Sequence, residues 1–399
     1  MFFGVFLAGA IVAGLLLSSG CASVPAPAKV TVRATPSQPG SVVPARIVAN
    51  FFLVESRQDD ERVRTFLVDT GSTATLVSAE FADQVADRPR RKSRIPVRVR
   101  GAHGGEAEFE SVTLRKLWLG DTAFERVPAL IYDLTELSNH LGVPLDGVIG
   151  FPVFRQSLVT LDYPGSRLVI APRPAAPIAP RDGPTSSTLT YNQERGTPLI
   201  PVQMGNESFV ALIDTGSDGT LSLNPAGLRP QFVNGPRPGG LVGSLTGDRQ
   251  MFVGRLGQNI LIGDHLIAQP VIDLTDQLSS LGGEILRNFS ITFDCSRNLV
   301  TFQRDTAAPV QIEPRRSAGL SFFRQPAYWR VLGIVPGTPA AALPVQAGDL
   351  CVRVNGEPVS RWTQERFLEL VRTAPRITFT LLEGSIEHDI EVPVIELVP

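Results

Sequence analysis

The chain has few of the residues that build metal sites, and it carries no excess charge of either sign. Only four histidines and three cysteines occur in 399 residues, and the histidines show no metal-ligand spacing with one another or with cysteine. The formal net charge of −2 provides no basic field of the kind that attracts nucleic acid. We therefore predict no metal site, no cofactor and no nucleic-acid partner.

Long helical patterns are also scarce, whereas turn-forming residues are abundant. The sequence contains 36 glycines and 33 prolines, and 43% of its residues are hydrophobic. This composition is typical of a globular protein rich in strands and turns, and the length allows two or three domains with their own cores. We predict an all-β fold.

The N-terminal residues have the pattern of an export signal. Residues 2–17 are almost wholly apolar, and Ser-Ser-Gly then precedes Cys21. Small residues directly before a cysteine resemble the lipobox of bacterial lipoproteins, which implies lipidation at Cys21 after a signal peptide at residues 1–21. A plain secretory signal and an uncleaved membrane anchor are the alternatives. Each places the bulk of the chain outside the cytoplasm, and we expect the periplasmic side of a bacterial envelope.

Neither residues 22–41 nor the two remaining cysteines indicate a further functional site. Residues 22–41 are rich in Pro, Ala, Ser and Thr, which favours a flexible tether. Cys295 and Cys351 lie in strand-like segments of different predicted domains. We expect free buried thiols there, although an oxidising compartment would permit a bridge.

One short motif occurs twice. Residues 66–72 (FLVDTGS) and 212–217 (LIDTGS) each end an apolar run on Asp-Thr-Gly-Ser. Later segments recur in the same order, such as LWLGD at 117–121 and ILIGD at 260–264, or DLT at 133–135 and 273–275. The repeat predicts two similar β lobes at residues 42–172 and 188–306, joined by a proline-rich linker at 173–187.

The two motifs would bring Asp69 and Asp214 together. Hydrolysis of a peptide without a metal needs a base that takes a proton from water and an acid that protonates the carbonyl oxygen. Two carboxylates in contact cannot both ionise, so the pair shares one proton and can fill both roles. Glycine after threonine lets the two loops approach closely. The hydroxyls of Ser72 and Ser217 are expected to donate hydrogen bonds to the carboxylates.

Each Asp-Thr-Gly-Ser motif is followed by a segment ending in glycine, Val-Ile-Gly at 148–150 and Ser-Leu-Gly at 280–282. Together these motifs resemble the retropepsin-like and pepsin-like aspartic proteases over about residues 42–303. The resemblance implies two β-barrel lobes related by pseudo-twofold symmetry, with Asp69 and Asp214 as catalytic residues. It also implies a glycine segment behind each Asp loop and threonine hydroxyls that bond across the interface. The implied supporting residues are Thr70, Gly71, Ser72, Thr215, Gly216, Ser217, Gly150 and Gly282.

A third unit is predicted at residues 311–396. The segments GLSF at 319–322, AGDL at 347–350 and VNG at 354–356 resemble a PDZ domain. In that family a loop of backbone N–H groups binds a peptide's terminal carboxylate, and the peptide adds as a strand. The alternative is a domain that only packs on the lobes. The implied peptide-binding residues are Leu320, Ser321, Phe322, Gln364 and Leu368.

The sequence thus predicts an aspartic endopeptidase that hydrolyses peptide or protein substrates between two lobes of one chain. Glycine-rich hairpins near residues 101–105 and 239–247 would cover the substrate. The duplication and short linker favour pairing within the chain over pairing between chains. The second copy departs from the first at Asp218 and Ser280. These departures leave open a catalytically inactive protease-fold and PDZ scaffold that binds peptides in the cell envelope.

Overall fold

The computed structural model describes residues 33–35, 40–87, 97–100, 106–172, 185–193, 196–242 and 249–399. Cys21, the hairpin tip at 101–105 and most of the linker at 173–187 lie outside the described residues. Strands dominate the part that is described, which confirms the all-β prediction. Within it, no helix has both the length and the apolar character needed to cross a membrane.

The first lobe is built mainly of strands. Those that the structure describes are β1 (Arg33–Thr35), β2 (Ser41–Val48), β3 (Phe51–Arg57), β4 (Val63–Asp69), β5 (Thr75–Val77), β6 (Ala86–Asp87), β7 (Val97–Arg100), β8 (Glu106–Phe109), β9 (Ser111–Leu119), β10 (Thr122–Ile131), β11 (Gly147–Gly150), β12 (Leu158–Asp162) and β13 (Arg167–Ala171). Two helices, α1 (Ala79–Val85) and α2 (Thr135–Leu141), and a 3-10 turn (Phe151–Phe154) complete it. Because β1 pairs with β10, the prediction of a flexible tether at residues 22–41 is wrong for this segment.

The second lobe repeats this plan. Its described strands are β14 (Ser186–Thr190), β15 (Leu199–Met204), β16 (Glu207–Ile213), β17 (Leu221–Leu223), β18 (Phe232–Val242), β19 (Arg249–Leu256), β20 (Ile260–Ile262), β21 (His265–Ala268), β22 (Val271–Leu274), β23 (Ser280–Leu281), β24 (Ser290–Asp294), β25 (Leu299–Gln303) and β26 (Val310–Gln311), with one short helix, α3 (Gly283–Leu286). The order β3-β4-β11-β5-β10 in the first lobe corresponds to β15-β16-β23-β17-β22 in the second.

The repeated turns show why the two sequences fold alike. A two-residue turn joins β9 to β10 and another joins β20 to β21, and each begins with a glycine in the left-handed region. The φ angles are 59° at Gly120 and 58° at Gly263, a conformation that other residues adopt only with strain. The Gly-Asp dipeptides at 120–121 and 263–264 therefore mark the same hairpin in both lobes.

A sheet shared by both lobes joins them. Its central pair is β12 of the first lobe and β24 of the second, which run antiparallel, with β13 and β2 outside β12 and β25 and β14 outside β24. Thr160 and Thr292 face each other at the middle of this pair, with their hydroxyl oxygens 2.8 Å apart. The two lobes also share one hydrophobic core, in which Phe293 packs edge-on against Phe151 at 5.1 Å and Tyr191 at 6.1 Å between ring centroids.

The C-terminal domain has its own sheet and core. Its strands are β27 (Arg315–Ser317), β28 (Leu320–Arg324), β29 (Trp329–Ile334), β30 (Leu350–Val354), β31 (Glu357–Pro358), β32 (Arg376–Glu383), β33 (Ile386–Pro393) and β34 (Ile395–Val398), with α4 (Gln364–Thr373) and 3-10 turns at Pro339–Ala342 and Val359–Arg361. Thr363 caps α4 by accepting a hydrogen bond from Arg366 N–H. Phe367 of α4 packs on Phe322 and Trp329, which closes the core.

The C-terminal domain touches both lobes. Helix α2 of the first lobe contacts β28 and α4, and β18 of the second lobe contacts β28 and β29. The edge of β28 away from β29 has no strand partner among the described strands. The domain is thus docked against the lobes through β28, β29 and α4.

We predict that Phe293→Ala destabilises the protein by about 3–5 kcal/mol, because it leaves a cavity in the core shared by both lobes. Phe252→Ala is the matched control, since the Phe252 side chain is 47% exposed and its removal should change the free energy of unfolding by about 0.5 kcal/mol or less. Denaturant unfolding of both variants measures the difference. Equal losses in the two variants would contradict a shared core.

Candidate active site

The two aspartates lie at the ends of corresponding strands. Asp69 is the last residue of β4, and Asp214 directly follows β16. Both side chains are fully buried, with 0% exposure. The apolar strands before them bury the base of each loop, which limits the freedom of the carboxylates.

Each carboxylate packs against the glycine of the other loop. A Cβ atom at Gly71 would overlap Oδ1 of Asp214, and one at Gly216 would overlap the carboxyl carbon of Asp69. Each glycine also donates its backbone N–H to the aspartate of its own loop, at 2.8 Å for Gly71 and 3.1 Å for Gly216. Glycine is therefore required at both positions, because a side chain on either loop would push the two aspartates apart.

The two threonines lock the loops together. Thr70 Oγ1 donates to the Ile213 carbonyl at 2.6 Å, and Thr215 Oγ1 donates to the Val68 carbonyl at 2.7 Å. In return, Thr70 N–H donates to Thr215 Oγ1 at 3.0 Å and Thr215 N–H to Thr70 Oγ1 at 3.2 Å. Each hydroxyl thus bonds to the main chain of the opposite lobe, and the geometry of one loop depends on the other.

A short strand ending at a glycine lies behind each loop. Strand β11 runs parallel to β4 and pairs Gly150 with Asp69, while β23 runs parallel to β16 and leads into Gly282. A Cβ at Gly150 would meet the Ala74 carbonyl at 2.5 Å, and one at Gly282 would overlap the Gly219 carbonyl. Ser280 pairs with Leu212 of β16 through the backbone, so a serine at this position leaves the strand pairing of the second lobe intact.

The serines act differently from the prediction. The hydroxyl of Ser72 donates to the Ala74 carbonyl at 2.7 Å, so the expectation that it donates to the carboxylates is wrong. Ser217 Oγ accepts from Gly219 N–H at 3.4 Å. These bonds form because the turn after each aspartate leaves backbone groups unpaired within reach of a short hydroxyl side chain.

Burial and mutual repulsion set the proton affinity of the pair. Burial raises the pKa of Asp69 to about 7, against the opposing effect of hydrogen bonds from Gly71 and Ser72 N–H and from Asp214. Burial and then the charge of Asp69 raise the pKa of Asp214 well above its usual range. Oδ2 of each aspartate is buried and receives no hydrogen bond from a protein donor in the described part of the chain. Burial and the proximity of the two carboxyls therefore raise the proton affinity of the pair as a whole, so that the two share a proton.

Asp218, the departure in the second motif, is buried and held by the first lobe. Asn50 lies in the turn between β2 and β3, and its Nδ2 donates to the Asp218 carbonyl at 2.8 Å. Arg287 Nη1 in turn donates to Asn50 Oδ1 at 3.0 Å. Burial and then the charges of Asp273 and Glu284 raise the pKa of Asp218 well above its usual range, against the pull of Arg315. Asp218 is thus a buried carboxyl next to the second catalytic loop, with a raised pKa.

The C-terminal domain supplies the cation of this acidic cluster. Arg315 of β27 is 8% exposed, and its guanidinium forms two hydrogen bonds with the Asp273 carboxylate. Burial alone would lower the pKa of Arg315, yet the charge and hydrogen bond of Asp273 raise it above its usual value. Sequence reasoning missed both Asn50 and Arg315, because each meets its partner only in the folded chain.

The residues predicted to bind a peptide in the C-terminal domain lie mostly inside it. Leu320, Ser321, Phe322 and Gln364 are each 0–1% exposed. Ser321 Oγ accepts from Leu241 N–H of β18 at 3.0 Å, so the predicted loop touches the second lobe. Leu368 is half-buried and lines a cavity of about 800 Å³ at the junction with the lobes. Four of the five predicted residues are thus buried, and Ser321 and Leu368 lie next to the lobes.

Comparison with known proteins agrees with the first lobe's geometry. Residues 54–153 match the family model described as aspartyl protease. The matched segment contains Asp69 and runs past Gly150, so it covers the first catalytic loop and the strand behind it. No curated protein matches the chain. Among the described residues, no cluster of three side chains suited to binding a metal ion occurs.

We predict that Arg315→Met destabilises the protein by about 3–5 kcal/mol, because it leaves Asp273 buried without its cation. The double variant Arg315→Met, Asp273→Leu should recover most of the loss, since it removes both charges. Arg353→Met is the control, because its pair with Glu387 is exposed and contributes about 1 kcal/mol or less. Denaturant unfolding measures all three. A double variant as unstable as the single one would contradict the pairing.

The proton shared by the dyad should be visible without any substrate. We expect the Asp69 carboxyl to titrate near pH 7, because burial raises its pKa to about 7 from the usual 3.8. Asp133 serves as the contrast, because hydrogen bonds from Thr135 lower its pKa. Carboxyl ¹³C NMR of the full chain over a pH series measures both, with Asp69→Asn assigning the dyad signal. Titration of Asp69 at an ordinary carboxyl pH would contradict a buried dyad.

Proposed function

We propose that the chain is an aspartic endopeptidase in which Asp69 and Asp214, both from one chain, hydrolyse peptide bonds by activating water. The observation that carries the proposal is the reciprocal packing of each carboxylate against the glycine of the other loop. This arrangement brings two buried carboxylates together with one proton between them, which is the state that general acid and base catalysis requires. The aspartyl protease match over residues 54–153 supports the same reaction class.

In the first step one aspartate acts as the base and the other as the acid, and we assign the base to Asp69. Asp69 takes a proton from water while the oxygen attacks the peptide carbonyl carbon. Asp214, which holds the shared proton, gives it to the carbonyl oxygen, so a neutral tetrahedral gem-diol forms. In the second step Asp214 takes a proton back from a hydroxyl of the gem-diol, and Asp69 gives its proton to the leaving amine. The carbon–nitrogen bond breaks, and the dyad returns to its starting state with one proton.

An extended peptide is the substrate that suits this site. In each lobe a hairpin lies in sequence between the catalytic loop and the glycine segment, β7–β8 in the first lobe and β18–β19 in the second, and we propose that they cover a chain lying between the lobes. For the C-terminal domain we propose a PDZ-like role in binding a peptide C-terminus, with Leu320, Ser321 and Phe322 offering the loop. Gln364 and Leu368 would form the helical wall. The unpaired edge of β28 supports strand addition there.

We also propose that the chain is exported and attached to a membrane through a lipid on Cys21. The apolar run at residues 2–17 and the small residues before the cysteine support this assignment. The folded part would then act at the periplasmic side of the envelope.

The deciding experiment is incubation of the full chain with an unbiased peptide library, analysed by mass spectrometry. We expect cleavage that falls by about 10²–10⁴-fold in Asp69→Asn, because the dyad loses its base. Asp305→Asn is the matched control, since Asp305 is exposed and lies far along the chain from either motif. A parent protein that cleaves nothing while it binds library peptides would instead favour the inactive scaffold.

A further inference from the structure

Arg324 is a buried cation without a counterion. It is the last residue of β28, it is 6% exposed, and neither Nη1 nor Nη2 has a hydrogen-bond partner among the described residues. The guanidinium instead lies between two aromatic rings, 4.0 Å from the Trp329 centroid and 5.1 Å from the Phe367 centroid. Burial lowers its pKa to about 9. The four N–H donors of Nη1 and Nη2 are thus left for an anion to satisfy.

The surroundings of Arg324 offer further donors. Arg324 lines a cavity of about 770 Å³ between helix α2 and the C-terminal domain. Asn139 of α2 and Trp362 of the C-terminal domain also line this cavity, and the donors Asn139 Nδ2 and Trp362 Nε1 are both buried without a partner in the described part of the structure. Unsatisfied buried donors are costly, so their grouping beside an unpaired cation indicates a site for an acceptor.

The lining residues do not supply that acceptor themselves. Asp133 is the one carboxylate on the described wall of the cavity, and its Oδ1 accepts from Thr135 N–H at 2.9 Å. Asp133 is exposed, whereas Arg324 is buried. No carboxylate among the described lining residues therefore pairs with Arg324, and its donors are left for the acceptor of a bound molecule.

The position of the cavity indicates what that molecule is. Arg324 brings the end of β28 to one wall of the cavity, together with Trp362 and Thr363 just before α4. The edge of β28 that ends at Arg324 has no strand partner among the described strands, so an extended chain can add there. The opposite wall includes Ser78, just after β5, and Leu145, just before β11, so the cavity borders the segments that carry the first catalytic loop. Arg324 and Leu320 stand at opposite ends of β28, about 13 Å apart. A chain terminus bound at Leu320 would not reach Arg324, but a side chain several residues upstream would.

We propose that this cavity binds the acidic side chain of an extended peptide, with Arg324 pairing its carboxylate and with the amide N–H of Asn139 and the indole N–H of Trp362 completing the hydrogen bonds. The site selects peptides by a glutamate or aspartate within the chain. Because α2 contacts both β28 and α4, a peptide that adds beside β28 also displaces or reorients this helix of the first lobe. This selection is independent of hydrolysis and is tested without it.

The test measures binding of two fluorescent peptides, capped at both ends, to the full chain carrying Asp69→Asn so that cleavage does not interfere. The peptides share a Val/Ser/Ala sequence and differ in one central residue, glutamate or glutamine. We expect the glutamate peptide to bind about tenfold more tightly, since a charge-assisted pair replaces a neutral contact. A glutamine peptide with a free C-terminus forms the third arm and should keep its affinity when Arg324 is changed.

Three variants in the same background assign the effect. Arg324→Met should remove the preference for glutamate, and the free protein should be no less stable, because a buried charge without a partner is lost. Arg324→Lys should keep part of the preference. Arg330→Met, which removes an exposed arginine from the neighbouring strand β29, should keep all of it.

The parent protein alone can overturn the proposal. Equal affinity for the glutamate and glutamine peptides would do so even if Arg324→Met failed to fold. A glutamate preference that persists in Arg324→Met would place the acid elsewhere. An effect of Arg324 on the free-terminus peptide alone would assign the residue to the chain terminus instead of an internal acidic side chain.

Discussion

The close contact between the two Asp-Thr-Gly loops is the constraint on which the rest of the structure depends. Each aspartate touches the glycine of the other loop, and each threonine hydroxyl bonds to the opposite main chain. Neither loop can hold its geometry alone, so the lobes must be held in a fixed relation. The shared sheet at β12 and β24 and the single core around Phe293 provide that rigidity. The contact buries two carboxyl groups, which disfavours their charged forms, and sharing one proton removes one of the two charges.

The second loop depends on more of the molecule than the first. Under it lie Asp218, Asp273 and Glu284, a set of acidic groups that a buried environment does not tolerate without compensation. Burial raises the pKa of Asp218, which favours its neutral form, and Arg315 from the C-terminal domain pairs with the Asp273 carboxylate. The C-terminal domain is therefore part of the support of the second catalytic loop as well as a candidate binding module.

Much of the site was predictable because its signals are local. Asp69 and Asp214 each end an apolar run, and the same motif order in both halves indicates two lobes. Arg315 and Asn50 gave no such signal. Asn50 reads as an ordinary turn residue, and its partner Asp218 is 168 residues away in sequence. The serine prediction was wrong because a nearby backbone carbonyl competes for the Ser72 hydroxyl, a choice set by turn geometry.

The pairing of Arg315 with Asp273 also decides whether the two lobes can be separated from the domain that follows them. Arg315 lies in β27, which pairs with β34 near the C-terminal end of the domain. A fragment that ends after the second lobe would lack this cation and would leave Asp273 buried near Asp218 and Glu284. The lobes are therefore not a fragment that can be cut free with the second catalytic loop intact.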